Sequence, residues 1–329
     1  MTAKIQRREF ITLLGGAAAA WPLAAQAIEQ KPVRIGFVFF GSPSNVYDQS
    51  LVKAFREGLR QVGLVENQDI VLDVVWISGD PEKAVAEVLG RGAELLIPSG
   101  SGASVAAMHQ TSTIPIVFIN VGDPIAMGLV DSLPRPGRNA TGFSDILAEL
   151  SGKFVDLARE LNKPQARVGY LWHTAWPDGR NRYQLTEQAA LAAGLKLESR
   201  GIAEIAEIGD AIAEMKQSQA STLIVQPSPF TYQHRDQIID SATNNSLATI
   251  LAWPVAAREG ALIGYGPDYL HTYRRAPFYV DRILKGAKPA DLPVERPTKV
   301  EFLINLRTAK VLRLELPLSL LIRADDLIE

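Results

Sequence analysis

The feature that most constrains the fold is a regular alternation of short apolar runs with longer amphipathic segments. The run Val33–Phe40 is continuous and rich in β-branched and aromatic residues, as in a strand buried on both faces. Val46–Val62 follows it with apolar residues at helical spacing. The alternation continues as far as Ala261–Tyr265. Short connections between such units predict parallel sheets with right-handed crossovers.

The expected elements form two similar sets. In the first set we expect strands at Ile70–Ile77, Glu94–Pro98, Ile114–Ile119 and Ala140–Phe143, helices at Pro81–Arg91 and Ala103–Thr111, and a short helix after Asp123-Pro124. In the second set we expect strands at Arg167–Trp172, Leu195–Ile202, Ser221–Gln226, Ala248–Leu251 and Ala261–Tyr265, and helices at Leu147–Leu161, Arg182–Ala193, Ile205–Gln217 and His234–Asn244. A helix over Tyr269–Leu284, kinked at Pro277, and a short helix over Thr308–Arg313 complete the chain.

The N-terminal segment has the pattern of an export signal. Basic residues precede the uncharged run Phe10–Ala27, which closes on the A-x-A pattern Ala25-Gln26-Ala27. We expect residues 1–27 to be removed by cleavage after Ala27. Arg7-Arg8 resembles a twin-arginine signal, and an ordinary Sec signal fits equally well. With no cysteine to carry a disulfide or a lipid, the mature protein is expected to be free in the periplasm, with secretion as the alternative.

Composition and motifs exclude several function classes. The formal net charge of −2 gives no electrostatic reason to expect a nucleic-acid partner. The four histidines do not stand at metal-ligand spacing, and no G-x-S-x-G elbow or phosphate loop is present. Gly100 and Gly102 are not a dinucleotide fingerprint, because Val105 stands where a third small residue is needed. We therefore expect no metal, no cofactor and no catalytic residues, which favours a binding protein over an enzyme.

Polar loops follow the strands of the first set. In open parallel sheets ligands bind beyond the carboxyl ends of the strands. Glycine and small hydroxyl residues before a helix suit an anionic group such as a carboxylate. The alternative interpretation is that the serines and the aspartate only cap helices. The candidate ligand-binding residues here are Ser42, Ser44, Ser99, Gly100, Ser101 and Asp123.

Aromatic loops follow the strands of the second set. Three of the five tryptophans lie in these loops, and exposed aromatic side chains in loops commonly bind ligands. Packing between the lobes or within a core is the alternative. The candidate residues are Trp172, His173, Trp176, Ser228, Phe230, Trp253, Tyr265 and Asp268.

Three stretches carry a resemblance to a known family. They are FREGLRQVGLVENQDIVLD, VGDPIAMGLVDSLPRPGRNATGFSD, and the C-terminal run that begins YRRAPFYVDRILKGAKPADLPVERPTKVEF. These resemble the ABC-transporter substrate-binding proteins whose members include aromatic amino-acid binders. The resemblance implies two doubly wound α/β lobes joined by a three-crossing hinge, the type I periplasmic-binding-protein-like fold. It places residues 28–145 and about 267–295 in the first lobe, and 146–266 and about 296–329 in the second.

The resemblance also implies a function. We expect a monomeric, extracytoplasmic solute-binding component of an ABC importer that encloses a small-molecule ligand between its lobes and delivers it to an inner-membrane permease and its ATPase. The expected ligand carries a carboxylate, held at Ser99–Ser101, and an aromatic or amino-acid-like body between Trp172, Trp176 or Trp253. Asp123 or Asp268 is the expected partner of an amine. The loop His173-Thr174-Ala175-Trp176 departs from the Asn-Pro-like sequence common in the family, so ligand identity stays open.

Two alternatives use the same cleft. One is an exported enzyme with Asp123 or His173 as its base. The other is a ligand-sensing subunit of a signalling receptor.

Overall fold

Two β-sheets, of five and seven strands, organise the part of the chain that the computed structural model describes, residues 31–163, 165–176 and 179–329. The strands are β1 (Val33–Phe39), β2 (Ile70–Trp76), β3 (Leu95–Pro98), β4 (Ile116–Val121), β5 (Ala140–Ser144), β6 (Arg167–His173), β7 (Lys196–Ile202), β8 (Ala220–Val225), β9 (Ala248–Leu251), β10 (Ile263–Pro267), β11 (Val300–Asn305) and β12 (Asp326–Ile328). The expected export signal lies outside the described residues.

Helices cover these sheets. They are α1 (Val46–Gln61), α2 (Pro81–Gly90), α3 (Ser101–Gln110), α4 (Ser151–Leu161), α5 (Gly179–Ala192), α6 (Glu207–Gln217), α7 (Pro229–Gln233), α8 (Arg235–Asn244), α9 (Val255–Arg258), α10 (Tyr269–Arg275), α11 (Pro277–Leu284), α12 (Leu306–Val311) and α13 (Leu318–Arg323). None of the helices in the described ranges has both the length and the apolar character that a membrane crossing requires.

The strand order confirms the predicted fold class of two α/β lobes. The first sheet runs β2-β1-β3-β4-β5 with every pair parallel, and the second runs β12-β11-β10-β9-β8-β6-β7. Two strands depart from the all-parallel expectation: β11 is antiparallel to β10, and β12, which is parallel to β11, runs in the same reversed direction. The chain reaches β11 only after α10 and α11, which pack against α1, so it enters the second sheet from the opposite end.

Strand β1 illustrates how the sequence buries both faces of a sheet. Ile35, Phe37 and Phe39 pack in an apolar cluster on one face of the sheet. Val38 packs in a second apolar cluster on the opposite face, because successive side chains of a strand alternate between faces. Gly36 lies where a Cβ would come 2.8 Å from Val88 of α2, so only glycine lets this helix approach. The continuous apolar run therefore reflects helices on both sides.

Local signals set several helix boundaries. Asp80 caps α2 by accepting from the Glu82 amide at 2.9 Å, as predicted. Pro277 was expected to kink the Tyr269–Leu284 helix, and in the structure it begins a second helix, so that the segment is divided into α10 and α11. The prediction of a short helix after Asp123-Pro124 is wrong, because residues 124–128 form turns. Gly128 has a φ of +72° and reverses the chain before a helix can form.

The chain passes between the sheets three times. The first crossing follows β5, the second follows β10, and the third precedes β11. Backbone hydrogen bonds tie the crossings together: Ser144 donates to the Glu295 carbonyl at 3.0 Å, and Asp268 donates to the Lys299 carbonyl at 3.2 Å. Because α10 and α11 pack against α1, we propose that residues 267–295 belong to the first lobe.

Candidate functional site

The loops at the carboxyl ends of the parallel strands meet between the two sheets. We call this surface the interlobe cleft: its first-lobe wall is residues 40–48, 99–101, 120–123 and 144–145, and its second-lobe wall is residues 172–176, 179–182, 226–232 and 253. The Tyr232 hydroxyl, in the second lobe, donates a hydrogen bond to Asp48 in the first. The Tyr232 ring centroid lies 6.3 Å from that of Phe40. The two walls are therefore in direct contact.

A polar cavity of about 270 Å³ opens at one end of the cleft. On its first-lobe side, the hydroxyls of Ser42 and Ser44 form a hydrogen bond of 2.8 Å. The Ser42 amide donates a hydrogen bond to the Asp48 carboxylate at 2.8 Å. Burial raises the pKa of the Asp48 carboxyl, although the bonds from Tyr232 and Ser42 oppose that shift. Both predicted serines therefore line space shared by the lobes.

The predicted Ser99–Ser101 stretch divides into two roles. The buried Ser99 hydroxyl shares a hydrogen bond with the buried Tyr273 phenol. Gly100, at φ +86°, turns the chain from β3 into α3, a conformation that a side chain would strain. The Ser101 hydroxyl accepts from the Gly122 amide at 3.3 Å and stands half-buried at the start of the helix. Ser101 is thus the member of this stretch that faces the cleft.

Arg182 brings a positive charge from the second lobe against the first. Its side chain is buried, at 4 % exposure. The position that a Cβ would occupy on Gly122 is 3.4 Å from Arg182 Nη2 and 4.0 Å from both Ser101 Oγ and Asp145 Oδ1. Burial raises the pKa of the neighbouring Tyr269 phenol; Asp145 raises it further, and Arg182 lowers it. Opposite charges from the two lobes therefore share one small region.

The two predicted aspartates have structural partners. Asp123, which is exposed, accepts from the amides of Ile125 and Ala126 at 3.1 and 2.9 Å, so it caps the turn that follows. Asp268 caps α10 through the His271 amide and lies 3.2 Å from Lys299 Nζ. A role in ligand binding stays a prediction for both residues.

An aromatic stack occupies the second-lobe wall. His173 lies parallel to Phe230 with ring centroids 4.6 Å apart, and His234 meets the edge of the same ring at 4.7 Å. Burial lowers the pKa of both histidines, and in His173 the proximity of His234 adds to the effect. Trp176 packs against the Arg182 guanidinium, whose carbon is 4.8 Å from the ring centroid.

The remaining predicted residues pack within the second lobe. Trp172 stacks on Tyr183 of α5 with centroids 5.5 Å apart, and the buried Trp253 lies edge-on to Tyr232 at 5.0 Å. Ser228 forms a reciprocal capping box at the start of α7. Tyr265 packs edge-on against Phe154 and Phe302 in the core, apart from the residues assembled above.

Unpartnered polar atoms concentrate at the strand ends. Among the described residues, five buried side-chain atoms that make no hydrogen bond belong to residues at or next to the carboxyl end of a parallel strand. They are Asn120 Oδ1, Ser144 Oγ, Trp172 Nε1, His173 Nδ1 and Gln226 Oε1. Buried polar atoms are normally paired with protein groups or with ordered water, so these five atoms have hydrogen-bonding capacity that the described side chains leave unused.

Asn120 and Gln226 were missed as site residues. Asn120 adopts the left-handed conformation (φ +59°) at an irregularity in β4. Gln226 is fully buried, and its Nε2 donates to Tyr170 Oη at 3.1 Å and to the Gly179 carbonyl at 2.8 Å. The second bond fixes the orientation of the amide and leaves Oε1 as the unpaired acceptor. Their strand-end positions were the available signal. Within the described ranges, no group of three or more metal-ligating side chains is present.

Comparisons with known proteins show the family and the fold of this chain. Residues 44–328 match the family described as ABC transporter substrate binding protein. A tyrosine-binding protein of Clostridioides difficile is 24 % identical over 266 residues, 80 % of this chain and 76 % of that protein. A Streptococcus pneumoniae ABC domain crystallised with L-Trp superposes with a TM-score of 0.80 at 23 % identity, over 90 % of this chain and all of the other. A conserved domain protein from Vibrio cholerae gives a TM-score of 0.81 at 22 % identity and the same coverage.

Proposed function

Because the chain belongs to the family of ABC transporter substrate-binding proteins, we propose that it is the extracytoplasmic solute-binding component of an importer. It captures a small carboxylate-bearing ligand, aromatic or amino-acid-like, between its lobes and delivers it to a permease and its ATPase. The periplasm is the compartment that this role and the expected export signal imply.

The unpartnered atoms on both walls of the cleft are the observation that carries this proposal. Each buried polar atom without a partner costs about 1–3 kcal/mol. A ligand in the cleft can form hydrogen bonds with these atoms and so remove part of that cost. It can reach the atoms of both walls only in the closed form, in which both walls surround it. Ligand binding and lobe closure are then coupled, since the ligand interacts differently with the open and closed forms.

Charge and aromatic character support the ligand class. Arg182, the Ser101 hydroxyl and the start of α3 suit a carboxylate. Trp176, His173 and Phe230 offer flat surfaces to an apolar body. The relatives named for tyrosine and crystallised with L-Trp are consistent with such a ligand.

A thermal-shift screen tests the proposal. The purified protein is heated with amino acids, aromatic acids or sugars. A ligand that binds only the folded state and is present at about 100 times its Kd adds about 2.7 kcal/mol to the free energy of unfolding. We expect shifts from carboxylates and recovery of the bound ligand chemically unchanged. Stabilisation by sugars alone, or conversion of the ligand, would contradict the proposal.

A further inference from the structure

The C-terminal segment, residues 306–323, presents a group of aliphatic side chains to solvent. We call this group the C-terminal apolar face, and its members are Val311 (66 % exposed), Leu314 (37 %), Leu318 (69 %) and Ile322 (74 %). Leu318 and Ile322 are four residues apart, so they lie on the same face of α13. The fully buried Leu320 packs in the core of the second lobe, with Leu316 against it. The segment is therefore anchored on one side and apolar on the other.

Three basic side chains accompany this face. Arg307 and Lys310 are exposed on α12 at positions that share a helix face with Val311, and Arg313 is exposed in the turn that follows. Within the described ranges, none of these three side chains makes an ion pair. We infer that the C-terminal apolar face and its three cations bind an anionic lipid surface. This inference goes beyond the proposed solute-binding function, and its test needs no solute.

The charge of the segment is opposite in sign to that of the whole chain. Residues 306–323 contain four basic side chains and one acidic side chain, a net +3, whereas the chain has a formal net charge of −2. The fourth basic residue, Arg323, pairs with Glu160 of α4 at 2.8 Å. Nearby acids are engaged at the edge of the second sheet: Asp325 accepts from the Phe302 amide at 2.8 Å, and Asp326 pairs with Arg258 at 2.6 Å. The three free cations thus form a local positive field.

This combination suits a lipid surface. Interfacial segments place aliphatic side chains at the boundary of head groups and acyl chains, with Lys and Arg beside the head-group phosphates. Each basic side chain near an anionic surface contributes attraction that salt weakens. The cations provide selectivity for anionic lipid, and the aliphatic side chains provide contact with the acyl chains.

Other occupants fit the same face less well. A second copy of the chain in a symmetric dimer would bring its own Arg307, Lys310 and Arg313 against the same surface, and like charges would repel. Protein partners are bound mainly through aromatic and Arg hot spots. Residues 306–323 contain no aromatic residue, and the exposed apolar contribution is entirely aliphatic.

Vesicle co-sedimentation tests the inference, with phosphatidylglycerol and phosphatidylcholine vesicles as the probes. All forms of the protein begin at Ile28, after the expected cleavage site, because the basic and apolar leader would itself bind lipid. One variant combines Leu318→Ser with Ile322→Ser and removes apolar contact. The other combines Arg307→Gln with Lys310→Gln and removes charge. If the serine variant does not fold, the glutamine variant decides the test.

Matched controls make the same changes elsewhere on the surface. Val46→Ser with Leu191→Ser replaces two aliphatic side chains that are 82 % and 79 % exposed on α1 and α5. Lys53→Gln with Arg60→Gln removes two charges from exposed positions on α1. Neither pair touches the C-terminal segment, so neither is expected to change lipid binding.

We expect the wild type to partition onto phosphatidylglycerol vesicles at least about 10-fold more strongly than onto phosphatidylcholine vesicles. Raising the salt concentration from about 0.05 M to about 0.5 M reduces that binding, because the shorter Debye length screens the cations. The serine and glutamine variants each lower the partition coefficient about 10-fold, and the controls leave it unchanged.

Three results would overturn the inference: no binding to either vesicle, equal binding to both, or an equal loss in variants and controls. Sedimentation equilibrium without vesicles covers the remaining occupant. Self-association that the serine variant abolishes, with no vesicle binding, assigns the face to a second copy and also overturns the inference. The solute-binding function stands in each of these cases, since it depends on the interlobe cleft.

Discussion

His173 and His234 flank the ring of Phe230, and burial lowers the pKa of both imidazoles. The folded protein therefore binds fewer protons here than the unfolded chain, and stability is lost as the pH falls through the ordinary histidine value of about 6.5. We expect the melting temperature to fall between about pH 7.5 and about pH 5.5.

His173→Phe keeps a ring against Phe230 and removes one titrating group, so its melting temperature falls less steeply over the same range. The control is His271→Gln, which removes an exposed histidine from α10. A pH dependence unchanged by His173→Phe would contradict a role for His173 in this loss of stability.

The sequence predicted the walls of the cleft better than the residues that complete it. Strand ends identify a binding edge because parallel strands bring their carboxyl ends together. They do not reveal that Tyr265 faces the core at Phe154 while Gln226 retains an unpaired oxygen, because those facts depend on packing between distant segments. Arg182 lay in a predicted helix, where its spacing alone gave no reason to place it against Gly122.

Among the helices, α1 packs against α10 and α11, which supports our proposal that residues 267–295 belong to the first lobe. Gly58 of α1 lies where a Cβ would come 2.2 Å from the Arg274 carbonyl oxygen and 2.9 Å from Pro277. Gly58→Ala therefore forces these helices apart, and we expect it to lower the free energy of unfolding by about 1–3 kcal/mol. Denaturant unfolding measures the effect.

Gly152→Ala provides the matched control, since Gly152 lies in α4 with no neighbouring atom within 4 Å of its Cβ position. Because alanine has a higher helix propensity than glycine, Gly152→Ala is expected to raise the free energy of unfolding by about 0.5–1 kcal/mol. Equal effects of the two substitutions would contradict the close packing of α1. Such contacts between elements cannot be inferred from helical periodicity, whereas Pro277 predicted the break between α10 and α11 because the cause is local.

For the whole molecule, the central claim is that a ligand bridges the two lobes. Without ligand, unpartnered polar atoms raise the free energy of the closed form. Tyr232 bonding to Asp48 and packing near Phe40 favours closure, while the unpartnered atoms at the strand ends oppose it. A ligand shifts the balance by its differential affinity for the closed form.

Small-angle X-ray scattering tests this claim most directly. The radius of gyration is measured without ligand and with a saturating amount of the carboxylate that gives the largest thermal shift. We predict a smaller radius of gyration in the complex, at unchanged molecular mass. Saturated binding with no change in the radius of gyration would contradict the account.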